Sequence, residues 1–143
     1  MPAGDGSIHL SWQLPHPPAK VWRALSDPSL VARWLMETDM PTERGRAFTF
    51  RAKPMPHWDG IVHSEILDMD PPRRLSYAWK GGPGNSVLDT VVTWTLVPVD
   101  GGTRLELVHS GFKPEHGQAF GGAKFGWERN VGTGLAGVLA DMA

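Results

Sequence analysis

The stretch WERNVGTGLAGVLADM, residues 127–142, decides the fold. Trp127, Val131, Leu135, Val138, Leu139 and Met142 recur at steps of three and four, which puts them on one face of a helix. No other stretch sustains that period as long. The pattern therefore predicts one long helix, starting near Pro114. Gly132, Gly134 and Gly137 lie inside it, although each costs a helix about 1 kcal/mol relative to alanine. Two readings stand. The helix is short or frayed, or its small residues leave room for a neighbouring backbone or a ligand.

Upstream of this helix the period changes from helical to alternating. Leu105, Leu107 and His109 share one parity and are expected to face inward on a last strand. Asp100-Gly101-Gly102 reads as the tight turn before it, because glycine supplies the positive φ such turns need. Residues Val87 to Val97 carry Val92, Trp94 and Leu96 on one parity, and Leu75, Tyr77 and Trp79 alternate in the same way. Asp70-Pro71-Pro72-Arg73 is a turn. Gly60 to Met69 is apolar on both parities, which suggests a longer strand with a bulge near Ile66-Leu67. Phe48 and Phe50 mark a strand over Arg46 to Arg51, and Met36 to Arg44 reads as a loop.

At the N-terminal end, Ile8, Leu10, Trp12 and Leu14 alternate with polar residues in a half-buried strand. Pro18 opens a short helix with Val21, Trp22 and Leu25 on its apolar stripe. Asp27-Pro28 caps a second, with Leu30, Val31, Trp34 and Leu35 facing inward. The predicted class is α+β. A curved antiparallel β-sheet of about six strands wraps around a long C-terminal helix, with two short helices after strand 1. Residues 1–143 form a single domain. Only the terminal helix is long enough to cover the sheet, and the space between them is the natural place for a ligand.

Composition narrows the function. The chain has no cysteine, which removes disulfides, thiolate metal sites and cysteine nucleophiles and fits a reducing cytoplasm. Its net charge is −1 with both signs scattered, so a nucleic-acid footprint is not expected. Met1 to Ser7 lacks a basic segment, so no signal peptide is read. No apolar run approaches the roughly 20 residues of a membrane span. Seven tryptophans stand against one tyrosine, which favours a Trp-rich core or a Trp-lined cavity.

The segments Pro17-Pro18-Ala19-Lys20-Val21-Trp22-Arg23-Ala24-Leu25, Asp68-Met69-Asp70-Pro71-Pro72-Arg73-Arg74-Leu75, Gly102-Thr103-Arg104-Leu105 and His109-Ser110-Gly111-Phe112, with Trp34, Trp79 and Gly126-Trp127, occur in a telling order. In this order they resemble the START-like or SRPBCC superfamily, the helix-grip fold. More narrowly, they resemble the bacterial branch related to the activator of the ninety-kilodalton heat-shock-protein ATPase. The resemblance covers nearly the whole chain. It implies a fold and a cavity, not a reaction, since members include lipid carriers, hormone-binding proteins, polyketide cyclases and co-chaperone domains. The chain departs from the family in its glycine-rich terminal helix and its proline-rich Lys53 to Trp58 segment.

Trp34, Phe50, Trp79, Trp94, His109, Phe112 and Trp127 are the candidate ligand-binding residues. Trp34 is expected to close one end of the cavity, Trp79 and Trp94 to stand on the concave sheet face, and Trp127 to look back from the helix. His109 is open to two readings. It is a ligand-orienting or acid/base group, or a core histidine whose ring nitrogens are satisfied internally. His57, Asp59 and His63 have a spacing that could approach a metal, but Pro56 and Gly60 break the strand between them, so no metal site is assigned. Glu37, Asp39 and Glu43 read as solvated loop carboxylates. Gly81-Gly82-Pro83-Gly84 lacks the lysine and hydroxyl of a phosphate loop, so no cofactor is assigned. Three readings follow. The first is a cavity protein for a hydrophobic small molecule, apolar, aromatic or lipid-like. The second is a cyclase- or hydrolase-like enzyme using His109, which the lack of a second inward titratable group disfavours. The third is a chaperone-interacting protein with Pro54 to Trp58 as its apolar patch. A homodimer is compatible with any of them.

Overall fold

The alternating stretches form the strands they predict. The computed structural model describes residues 6–54, 59–81 and 89–142. Its elements are β1 (Ile8–Leu14), α1 (Pro18–Ser26), α2 (Pro28–Trp34), β2 (Glu37–Thr38), β3 (Ala47–Arg51), β4 (Ile61–Asp70), β5 (Arg74–Lys80), β6 (Asp89–Val99), β7 (Gly102–Ser110), α3 (Gly117–Arg129) and α4 (Ala136–Asp141). A π-helical turn, Asn130–Leu135, joins α3 to α4, and a 3-10 turn, Pro114–His116, precedes α3. The result is one long C-terminal helix with a widened turn in its second half.

All seven strands form one antiparallel sheet in the order β1-β7-β6-β5-β4-β3-β2. The sheet curls around the C-terminal helix, so the fold is an α+β helix grip. The seventh strand, β2, lies in the stretch expected to be a loop. Two residues of it pair with Arg51 and Phe50 of β3, and Thr38 Oγ1 donates to the Thr49 carbonyl at 2.7 Å. A polar two-residue strand has no periodicity of its own and exists only through its partner.

The register of β4 against β5 slips between Ile66 and Asp68. This is the bulge that two-sided apolarity suggested. Before it, Val62, Ser64 and Ile66 face the core; after it Met69 packs against the core and Leu67 is left exposed. The extra residue switches the inward parity, as a bulge must. At the β6–β7 corner Gly101 adopts φ +81°, a conformation a side chain would strain. Asp27 caps α2, with Oδ1 accepting from the Ser29 amide at 2.9 Å and the Ser29 hydroxyl at 2.7 Å. These bonds hold its carboxyl below the usual carboxylate range.

The core lies between the concave sheet face and the C-terminal helix. Trp127, Val131, Leu135, Val138 and Leu139 are buried there, as the opening stretch predicts, and Met142 packs against its edge. The glycines in this helix differ in their surroundings. A Cβ on Gly134 would stand 3.3 Å from both Cβ and the carbonyl oxygen of Trp34, whereas one on Gly132 or Gly137 would meet nothing within 4 Å. So Gly134 admits the backbone at the end of α2, one of the two roles the sequence left open. No helix among the described residues is long and apolar enough to cross a membrane.

Candidate functional site

Strand parity brings the aromatic side chains to one place. Trp34 meets Trp94 edge-on at 6.0 Å between ring centroids, and Trp94 meets Trp127 at 5.4 Å. Trp127 meets Trp79 at 5.4 Å, and Trp79 meets Phe50 at 5.1 Å. His109 touches Trp79, Trp127 and Phe112, the last at 4.6 Å. The seven residues singled out from the sequence thus form one connected network. Most of it is filled core. Trp34, Phe50, Trp94 and Phe112 are buried and are not among the residues that line the cleft described next.

A cleft of about 110 Å³ lies at the edge of this network. Leu35 and Met36, just after α2, form one wall. Trp79 and His109 come from the sheet, and Ala123, Gly126, Trp127 and Asn130 come from the helix. The helical residues recur at steps of three and four, so they form one stripe facing the sheet. Ala123 and Gly126 put little side-chain volume into this part of the interface, and a Cβ on Gly126 would meet nothing within 4 Å.

His109 is 1% exposed, and its ring is held at both ends. The Trp127 indole N–H donates to Nδ1 at 3.0 Å. An indole nitrogen can only donate, so Nδ1 carries no proton, and the neutral ring keeps its hydrogen on Nε2. Nε2 lies 2.8 Å from Thr90 Oγ1, which donates in turn to the Trp79 carbonyl at 2.7 Å. The relay runs one way, from the Trp127 N–H through the imidazole and the Thr90 hydroxyl to a backbone oxygen. Burial pushes the His109 pKa down to about 3. Charging the ring would also set a second donor against the indole N–H. His109 is therefore a neutral, internally satisfied histidine whose ring reaches the cleft.

Two further polar groups sit on the concave face. Tyr77 accepts a hydrogen bond from the Trp94 indole at 2.9 Å, and burial raises its pKa well above the ordinary phenol value. Ser64 Oγ is buried with no partner among the described residues. Ser64 stands opposite Trp79 in the β4–β5 register, with the two Cβ atoms roughly 5 Å apart in such a pair. Elsewhere the candidate carboxylates hold local structure. Asp39 accepts from the Thr49 amide at 2.7 Å, which lowers its pKa, and Glu43 lies 3.6 Å from Arg46. Asp59 accepts from the Ile61 amide, His63 is exposed, and His57 falls outside the described residues together with Met55, Pro56 and Trp58. Among the described residues no group of three metal-binding side chains comes together.

Sequence reasoning missed Thr90, Asn130, Leu35 and Met36 as parts of this region. Thr90 shares its parity with Val92 and Trp94, so alternation alone could have turned its hydroxyl inward. Asn130 lies seven residues after Ala123, on the same helical stripe.

A sheet gripping its C-terminal helix, with an aromatic core and a cleft between them, defines a START-like helix-grip domain. The sequence model of the family described as activator of Hsp90 ATPase homolog 1-like protein matches residues 15–140, and the chain belongs to this family. Among solved structures, protein MLL2253 from Mesorhizobium loti is 36% identical with a TM-score of 0.88, over 96% of this chain and 98% of that one. CalU16 from Micromonospora echinospora is 27% identical with a TM-score of 0.76, over 93% of this chain and 75% of the other. DynU16, from the dynemicin biosynthetic locus, is 28% identical with a TM-score of 0.78; the alignment covers 95% of this chain but only 48% of DynU16. No curated protein matches the chain.

Proposed function

We propose that the protein is a receptor for a small apolar or aromatic molecule, which enters the cleft between sheet and helix against Trp79, His109 and Trp127. The observation that carries this reading is where the aromatic core stops. Between sheet and helix, beside two indole rings and next to Ala123 and Gly126, about 110 Å³ is open. An engineered apolar cavity of about 150 Å³ binds benzene, so the cleft suits one ring, with the rest of a larger ligand outside. A fully covered ring removes on the order of 150 Å² of apolar surface from water, about 4 kcal/mol at ~25 cal/mol per Å². That corresponds to roughly millimolar affinity for a one-ring fragment, before the costs of association. The likeness to DynU16 gives the reading its context, since that protein is placed in a biosynthetic locus.

Titration with isopropylbenzene, read by the indole N–H signals of Trp79 and Trp127 in ¹H–¹⁵N spectra, tests the cleft. Saturable shifts at these two indoles are expected. They should vanish in Gly126→Leu, whose side chain starts in open space at the cleft and fills it. Shifts that persist unchanged in that variant, or none in the native protein, would refute the reading.

The cyclase- or hydrolase-like alternative asks His109 to exchange protons. Its low pKa and its two committed nitrogens argue against that role. Chaperone contact is the second reading. It draws on the family description and on Phe125, which is 64% exposed on α3 with Arg129 stacked 5.8 Å from its ring. Retention on an immobilised ninety-kilodalton heat-shock chaperone that is lost in Phe125→Ser would favour it. No retention at low salt would end it.

A further inference from the structure

The cleft has a chemical signature beyond its shape. Two of its lining side chains are polar, His109 and Asn130. Both imidazole nitrogens are taken by Trp127 and Thr90, so His109 offers a ligand its ring face and edge. No Asp, Glu, Lys or Arg lines the cleft among the described residues. A charged group brought inside would lose hydration and find no countercharge. Asn130 remains. It is half-buried and is the first residue of the π-helical turn, three residues past Trp127. Single π turns inside α-helices recur at functional sites because the extra residue re-aims side chains. A carboxamide both donates and accepts, so it can meet a carbonyl, a hydroxyl or an amide.

We propose that Asn130 is the specificity-determining residue of the cleft, and that the group bound there is an uncharged aromatic ring bearing one hydrogen-bonding substituent. This inference rests on the receptor reading above and names the class of ligand it takes. The apolar lining supplies affinity without discrimination. The carboxamide separates a polar-substituted ring from a plain one, and the absence of charge excludes the ionised analogue.

Three probes of nearly equal shape separate these statements: isopropylbenzene, acetophenone and benzoate, each titrated and followed at the Trp79 and Trp127 indole signals. Acetophenone is expected to bind about fivefold more tightly than isopropylbenzene, the worth of one ordinary hydrogen bond. Benzoate is expected to bind at least tenfold more weakly than acetophenone. Asn130→Leu should bring acetophenone and isopropylbenzene to equal affinity without weakening the latter. Asn130→Asp changes almost no volume. It keeps an acceptor and loses the amide donor, so it should abolish the ketone preference as well, and a native-like amide spectrum checks that each variant is folded. If isopropylbenzene binds but acetophenone shows no preference, if benzoate equals acetophenone, or if the preference survives both substitutions, the role of Asn130 is overturned while the receptor stands. If none of the three binds, both readings fall.

Discussion

Replacing Thr90 by valine tests the relay behind the aromatic network at nearly constant volume. Thr90 is fully buried and His109 is 1% exposed, so water cannot take the place of the lost hydroxyl. The substitution leaves His109 Nε2–H without an acceptor, which costs about 1–3 kcal/mol, and removes the bond to the Trp79 carbonyl, worth about 1 kcal/mol. The sum is roughly 2–4 kcal/mol. For 143 residues, an unfolding entropy of about 2.1 cal/mol/K per residue gives ~3 °C per kcal/mol, so Tm should fall by about 6–12 °C. The urea midpoint should drop with an unchanged m-value. His109→Phe is the second arm of a cycle. It removes the orphaned donor, so in its background Thr90→Val should cost only about 1 kcal/mol. The difference between the two costs, about 1–3 kcal/mol, is the coupling between the residues. A Thr90→Val cost below ~0.5 kcal/mol, or strictly additive effects, would show that the relay carries no energy and that the tautomer argument has no consequence.

The same histidine sets a pH dependence. Its folded pKa of about 3 lies below the ordinary 6.5, so between these values the unfolded chain holds the extra proton. Stability from this group is complete above pH 6.5 and falls as the pH drops, by about 2 kcal/mol at pH 5. Urea midpoints at pH 7.5 and pH 5 should show that loss in the native protein and a clearly smaller one in His109→Phe; equal slopes would contradict it. The helix glycines give a contrast in sign. Gly132→Ala and Gly137→Ala, with open space at Cβ, should each raise stability by about 0.5–1 kcal/mol, whereas Gly134→Ala should fall below both because its Cβ presses on the Trp34 backbone. Thermal melts of the three variants decide it, and equal gains at all three would refute the account of Gly134.

Alternation made the sheet legible wherever one face is buried. Val92, Trp94 and Leu96 on β6, and Leu105, Leu107 and His109 on β7, all face the core as their parity implies. β1 shows the limit of the rule. Ile8 and Leu14 are buried, but Leu10 and Trp12, of the same parity, are only partly covered because β1 is the edge strand. Parity gives the face of a residue and not the depth of cover over it. The aromatic residues were found for a sound reason, since large apolar side chains of inward parity must meet under the helix. Parity could not say whether they would line a hollow or close it. That depends on summed volume; Trp34, Trp94 and Phe50 are buried outside the lining of the cleft. Hydrogen-bond partners across strands, such as Thr90 for His109, depend on register, which the turn lengths between β5, β6 and β7 only partly constrain.

The widened helical turn was also written in the sequence, in the spacing of the opening stretch. Trp127, Val131, Leu135 and Leu139 recur every four residues. An α-helix advances 100° per residue, so each such step drifts about 40°, and by Leu139 the stripe would have turned roughly 120° from the face of Trp127. All four are nevertheless buried. A turn that absorbs an extra residue cancels such a drift, and Asn130–Leu135 is π-helical. The correction has a chemical result. It lets the residues after Trp127 stay in the core, next to Trp34, while the Trp127 indole still reaches His109. Asn130, where that turn begins, lies in the stripe of Ala123 and Gly126 that lines the cleft. The π turn thus begins at the cleft's polar group and carries the chain on to the residues that fill the core.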